Sequence, residues 1–166
     1  MRRMGGVQEA LTSRRTVYRY KREEVPDRIL ESAFEAARNA PCHKNTHPWK
    51  FYVMGEKTRE SLIPEVEKLA KKKSIDGEEE GAGISKAIEK IISPPLLICV
   101  TSARSPQDPF REEEDYAATA CAIQNMTLSL WGNGVGSQWS TGAITRSDAA
   151  YAAIGVSREE ERIVGF

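Results

Sequence analysis

The chain has 166 residues with 24 basic and 24 acidic side chains, 40% apolar and 29% charged. That length suits a single domain able to bury a sizeable core, and the composition is globular rather than disordered. Balanced charge leaves no global field to draw nucleic acid or an anionic membrane. The odd count of three cysteines, without CxxC spacing, argues against a disulfide framework and for a reducing, cytoplasmic setting.

At the N-terminus, MRRMGGVQEAL carries two arginines but no apolar stretch behind them, so it is not read as a signal peptide. Val7, Ala10, Leu11 and Arg14 have helical spacing, which predicts a short helix running into Ser13-Arg-Arg-Thr16. Pro26 suits a first helical position, and Ile29, Leu30, Ala33, Phe34 and Ala37 form one stripe ending near Asn39, before Pro41. Trp49 to Met54 reads as a strand. Leu62, Ile63, Val66, Leu69 and Ala70 make another helical stripe, with Pro64 tolerable only in its first turn.

Lys71 to Gly83 (KKKSIDGEEEGAG) has the composition of a mobile, solvated connection, either a plain surface loop or a lid. Helical period returns at Ile84, Ile88, Ile91 and Ile92 until Pro94-Pro95 stops it. Leu96 to Thr101 is an unbroken apolar run, as for a central strand buried on both faces. Carboxylates between Asp108 and Glu114 favour a helix N-terminus. The uncharged run from Tyr116 to Asn133 contains Thr119, Gln124, Asn125, Thr127 and Ser129, and is expected to be a buried helix rather than a membrane span. Val135 to Trp139 predicts a short strand, Ser147 or Thr145 caps a helix through Ile154 closed by Gly155, and Arg162 to Phe166 begins another strand. Strands separated by helices argue for one α/β or α+β domain built on one sheet.

The segment Ala40-Pro-Cys-His-Lys-Asn-Thr-His-Pro-Trp49 holds both histidines. His43 and His47 would share a face only in a helix, which the flanking prolines oppose, and no third histidine exists, so a metal site is not expected. Cys42 and His43 are adjacent, lack an orienting acid, and do not read as a nucleophile with its base. Gly132-Asn-Gly-Val-Gly136 has the glycines of a dinucleotide loop in the wrong order, after a helix, so a helix C-cap and turn explain it. Arg14-Arg15-Thr16, with Arg19, reads as a solvated basic face, as a grip for a small phosphate ligand or, behind that because no interleaved basic and aromatic stripe recurs, as a weak nucleic-acid patch. Trp139-Ser-Thr-Gly142 is a polar turn at a strand end, where ligands bind open sheets.

In order and spacing these pieces resemble the nitroreductase family of FMN flavoproteins, most closely its short bacterial branch. The match runs through Arg14-Arg15-Thr16, the Ala40–Trp49 loop entering a strand, Pro-Pro-Leu-Leu-Ile, Ala122-Ile-Gln-Asn125, and Gly134-Val-Gly136 before Trp139-Ser-Thr-Gly142, over about residues 7–166. The resemblance implies a three-layer α/β/α sandwich with one mixed or antiparallel sheet. It also implies a homodimer, with the long small-residue helix at its interface and FMN held between subunits. Arg14, Arg15 and Thr16 would grip the FMN phosphate. Cys42, His43, Asn45 and His47 would reach the flavin from the second subunit, and Trp139, Ser140 and Thr141 would approach from the other side. Thr16, Cys42 and His47 stand where serine, serine and glutamine are usual, while His43 is a feature of the short branch.

The implied activity is FMN-dependent hydride transfer from NAD(P)H to a nitroaromatic, quinone or related small-molecule acceptor, with no catalytic side chain, metal, nucleic acid or membrane required. The alternatives are a non-catalytic flavin-binding or interaction protein on this fold, or an FMN enzyme of another chemistry such as dehalogenation or dehydrogenation. Family chains continue past the match to Ile163–Phe166, so the resemblance also implies that a C-terminal segment is missing and an edge strand left open.

Overall fold

The computed structural model describes residues 6–73 and 80–166. A three-stranded antiparallel sheet of order β1-β2-β3 lies at its centre, formed by Trp49–Val53, Ile98–Ala103 and Glu161–Gly165. β2 is central, as its apolar run predicts, with Trp49 opposite Ser102 and Phe51 opposite Val100 on one side. On the other side Thr101 pairs with Ile163 and Ala103 with Glu161, after a register shift between Val100 and Thr101.

Helices cover both faces. On one, α2 (Asp27–Arg38) and α6 (Pro109–Gly132) pack over Trp49, Phe51 and Ile98. Ala33 and Ala37 of α2 join Ala118 and Ala122 of α6 in the same buried cluster, and side chains this small let the helix backbones approach closely. Asn125 seals the pair by donating to the Ala36 carbonyl at 3.1 Å. On the opposite face, Leu62, Val66, Ile91 and Tyr151 gather over Cys99 and Ile163. They come from the end of α3 (Glu56–Ser61), from α4 (Ile63–Lys73) and α5 (Glu80–Ile92), and from α7 (Asp148–Ile154). The result is the expected helix–sheet–helix sandwich.

Local chemistry explains the element ends. Asp108 caps α6 by accepting from the Arg111 amide at 3.0 Å, and Pro109 opens it. Its end is a Schellman turn: Gly134, at φ 78°, donates to the Trp131 carbonyl and Val135 to that of Leu130. Of the two candidate caps for α7, Ser147 performs the role, and Gly155 at φ 70° closes the helix.

Some expectations differ from the structure. The connection placed at 71–83 is shorter: residues 71–73 and 80–83 continue α4 and α5, whose apolar stripes pack together, while 74–79 lie outside the described residues. Residues 135–139 form no strand; their pairing with the N-terminal arm is a single parallel bridge between Thr16 and Ser137. The polar helix α3 has no apolar stripe to announce it. It is anchored by Arg59, which donates to the carbonyls of Met54 (2.9 Å) and Pro94 (2.6 Å). Finally, α6 is buried on one face only, and Phe110, Glu113, Ala117, Cys121 and Gln124 form an exposed stripe along the other. Among the described residues, no helix is long and apolar enough to cross a membrane.

Candidate functional site

The N-terminal arm begins with α1 (Val7–Ser13), where Ser13 Oγ accepts from the Trp131 indole at 2.9 Å and ties the arm to the C-terminal end of α6. Arg14 then turns extended, and Arg15 folds back so that Nη1 donates to the carbonyls of Thr12 (3.1 Å) and Arg14 (2.9 Å). Val17 N donates to the Ser137 carbonyl at 3.1 Å, which docks the arm beside the segment following α6. That approach requires glycine: a Cβ on Gly136 would lie 2.5 Å from Val17 Cγ2. Tyr20 secures the far side by donating to the Val17 carbonyl at 2.9 Å, and burial pushes its phenol pKa up.

From Ser137 the same segment leads to the polar turn. Ser140 exchanges both backbone hydrogen bonds with Phe166, at 2.8 and 2.9 Å, so the turn is built onto the end of β3. The Trp139 indole lies over Gly165, where a Cβ would sit 2.3 Å from Nε1, and it remains 41% exposed. Beside it is a depression of about 350 Å³ walled in part by Thr141, Arg146, Tyr116 and Arg162, with the Arg162 guanidinium 4.7 Å from the Tyr116 ring centroid. The structure therefore connects Arg14, Arg15 and Thr16 through Ser137 to Trp139, Ser140 and Thr141. Among the described residues Arg14 has no ion pair, and Thr16 is exposed.

The second group is built differently. Between Pro41 and Pro48 the chain takes left-handed backbone angles at Lys44 (φ 51°), Asn45 (φ 54°) and His47 (φ 44°). Non-glycine residues seldom adopt this region, asparagine and histidine more readily than lysine, and three such residues so close together mark a turn that the surrounding structure imposes. Thr46 Oγ1 donates to Asp115 Oδ1 at 3.3 Å, and His43 Nδ1 lies 3.7 Å from Glu114 Oε1. The two histidines diverge. His47 turns back, with Nδ1 4.0 Å from Cys42 Sγ, its amide donating to that sulfur at 3.4 Å, and its ring edge-on to Trp49. The imidazole beside Cys42 is thus that of His47, five residues away, rather than that of adjacent His43.

These two groups do not meet within one chain. The loop sits on Glu114 and Asp115 in the first half of α6, whereas the arm is tied to Trp131 at its end, ~24 Å further along the axis at 1.5 Å per residue. Sequence patterns did not single out Asp115 or Gly165, and they read Gly136 only as part of a turn after a helix C-cap. The available signal was Asp115's position as the last charge before the long uncharged run, which makes it a carboxylate on a largely buried helix.

A helix-flanked antiparallel sheet with its candidate site split between the ends of one long helix defines the class. The chain belongs to the nitroreductase family, whose model matches residues 11–166. It is 30% identical to YfhC of Bacillus subtilis, assigned as an NAD(P)H nitroreductase, over 93% of this chain and 78% of that protein. A nitroreductase-like protein from Bacillus cereus superposes with a TM-score of 0.78 at 28% identity, covering 99% of this chain and 84% of the other. A nitroreductase with bound FMN from Bacteroides fragilis gives 0.74 at 26% identity, covering 97% and 85%.

Proposed function

We propose that the protein is an FMN-dependent oxidoreductase that works as a homodimer, drawing hydride from NAD(P)H and delivering it to a nitroaromatic, quinone or related acceptor. The observation that carries this reading is the division of the candidate site between the two ends of α6. An antiparallel two-fold pairing along the exposed stripe Phe110, Glu113, Ala117, Cys121 and Gln124 sets the loop end of one copy against the arm end of the other. Family membership, and the FMN-bound relative of the same fold, support the cofactor.

The donor set fits it. Arg14 offers a guanidinium without an ion pair among the described residues, Thr16 offers an exposed hydroxyl, and the backbone-anchored Arg15 lies between them, a combination suited to a phosphate. Trp139 and the Ser140–Thr141 turn supply a flat apolar edge and polar groups for a ring system. His43 and Asn45 are exposed on the loop and available to a partner's site, with half-buried Cys42 and exposed His47 beneath them. Hydride acceptance and release at flavin N5 belong to the bound cofactor, so these side chains bind and orient, and none has to act as a general base.

The test is the visible spectrum of the protein purified without added cofactor, mass identification of any released flavin, and stopped-flow reduction by NADH and NADPH. Bound FMN reduced by either nicotinamide is the expected result. Colourless protein that takes up no added FMN overturns the reading. Flavin that binds but is not reduced by either donor makes this a flavin-binding protein without turnover.

A further inference from the structure

We infer that Asp115 is a positioning residue that holds the 42–47 loop in its strained form through Thr46, and thereby sets how tightly the flavin is retained; this rests on the function proposed above. The reasoning starts from a buried charge. The Asp115 side chain is 5% exposed, and a carboxylate taken out of water needs partners to offset its desolvation. Arg111, one turn earlier, meets Oδ2 at 2.9 Å. The other oxygen accepts from outside its own helix, from Thr46 Oγ1.

Thr46 lies between two of the three left-handed residues, Asn45 and His47. Its single hydroxyl proton is shared with the His43 carbonyl at 3.1 Å, so one side chain bridges α6 and the start of the turn. No glycine relieves the turn at Lys44, Asn45 or His47, and an unsupported chain there relaxes to ordinary backbone angles. The Thr46–Asp115 contact is thus the brace that keeps His43 and Asn45 displayed outward. Glu114 supplies a second α6 neighbour, its Oε1 lying 3.7 Å from His43 Nδ1. Cys42 and His47 hold each other on the far side of the turn.

A brace acting through display rather than packing gives a specific pattern. Thr46 is exposed, so Thr46→Val removes the hydroxyl without opening the core. FMN binding, followed by flavin fluorescence on titrating apoprotein, is expected to weaken roughly three- to tenfold in Thr46→Val, less than the full loss of a hydrogen bond to a charged group because Thr46 acts on the flavin only through the loop. Stripping one partner from the buried Asp115 carboxylate also lowers the apoprotein melting temperature, so affinities are compared at a temperature where both proteins are fully folded, and Thr46→Ser, which keeps the hydroxyl, restores both. Asp115→Asn retains an acceptor for Thr46 and is expected to bind FMN more tightly than Asp115→Ala, compared at equal folded fraction.

Equal FMN affinity in wild type and Thr46→Val overturns the inference. So does an affinity loss that vanishes when fully folded proteins are compared, or one that Thr46→Ser fails to repair, since either makes the contact ordinary scaffold. A wild-type protein that takes up no FMN removes the proposed function as well.

Discussion

Asp115 and Glu161 are both carboxylates removed from water, and the contrast between their partners separates scaffold from site. Glu161 is 5% exposed and lies at the start of β3, where it accepts from Lys50 Nζ, from Thr101 Oγ1, and from Tyr52 OH at 2.9 and 3.0 Å. These donors come from β1 and β2, so one side chain laces all three strands on the face away from α6. Asp115 instead has one donor from its own helix and one from a strained loop. The same chemistry, a desolvated anion with charge-assisted hydrogen bonds, stiffens a sheet in one place and displays a loop in the other.

The sharpest way to break this comparison is to delete Glu161. Glu161→Ala leaves the fully buried Thr101 hydroxyl and the half-buried Tyr52 hydroxyl without their acceptor, and is expected to lower stability by about 2–4 kcal/mol. Urea unfolding measures it, and FMN affinity per folded molecule should not change; a large loss of flavin affinity would place Glu161 with the site instead. The pH dependence carries the same signature. Burial works to raise the Glu161 pKa, but hydrogen bonds from Lys50, Thr101 and Tyr52 outweigh it and leave the group below the ordinary 4.5. A depressed folded pKa means that the stabilisation is present above pH 4.5 and is lost as pH falls through the folded value. Glu161→Gln should therefore flatten the acid limb of the stability curve.

On the site side, Arg14→Ala is expected to weaken FMN binding about tenfold to a hundredfold, from loss of roughly 1.5–3 kcal/mol of hydrogen bonding to a charged phosphate, at unchanged apoprotein stability. Unchanged affinity would leave the cluster as surface charge. Gly136→Ala tests the junction between the arm and the turn. Its Cβ would collide with the β-branched Val17, so about 1–3 kcal/mol of overpacking is expected together with weaker flavin retention. Retained flavin affinity in that variant would show that the two halves need no fixed distance. The smallest effect should come from Lys50→Ala. The Lys50 side chain is 64% exposed, which screens its contact with Glu161, so it should cost under ~1 kcal/mol by urea unfolding.

Much of this was legible from residue pattern. The stripes of α2 and α4, the continuous apolar β2, the Asp108-Pro109 start of α6 and the Gly134 and Gly155 stops are local signals, and each falls within a few residues of its place. Features that depend on pairing across the chain were harder to read. Val135–Trp139 has strand-like composition, but Thr16 meets it at Ser137 alone and Phe166 meets Ser140, so no ladder develops. The charged residues around 71–83 concealed helix ends whose apolar faces were set further along each helix. Family resemblance linked the two halves of the site, whereas spacing alone could not say that α6 separates them.

By itself the sequence determined most of the helices and the three sheet strands, where glycine and proline end several of them, and, with two histidines in all, that no three-histidine metal set is available, because such properties depend on composition and on neighbours in the chain. Only the tertiary structure decided that His47 rather than His43 faces Cys42, that Thr46 leans on a buried Asp115, and that arm and loop lie at different ends of one helix. The first is set by a left-handed turn across five positions, and the other two concern residues brought together across dozens, where the packing of sheet and helices, rather than local preference, fixes which side chains meet.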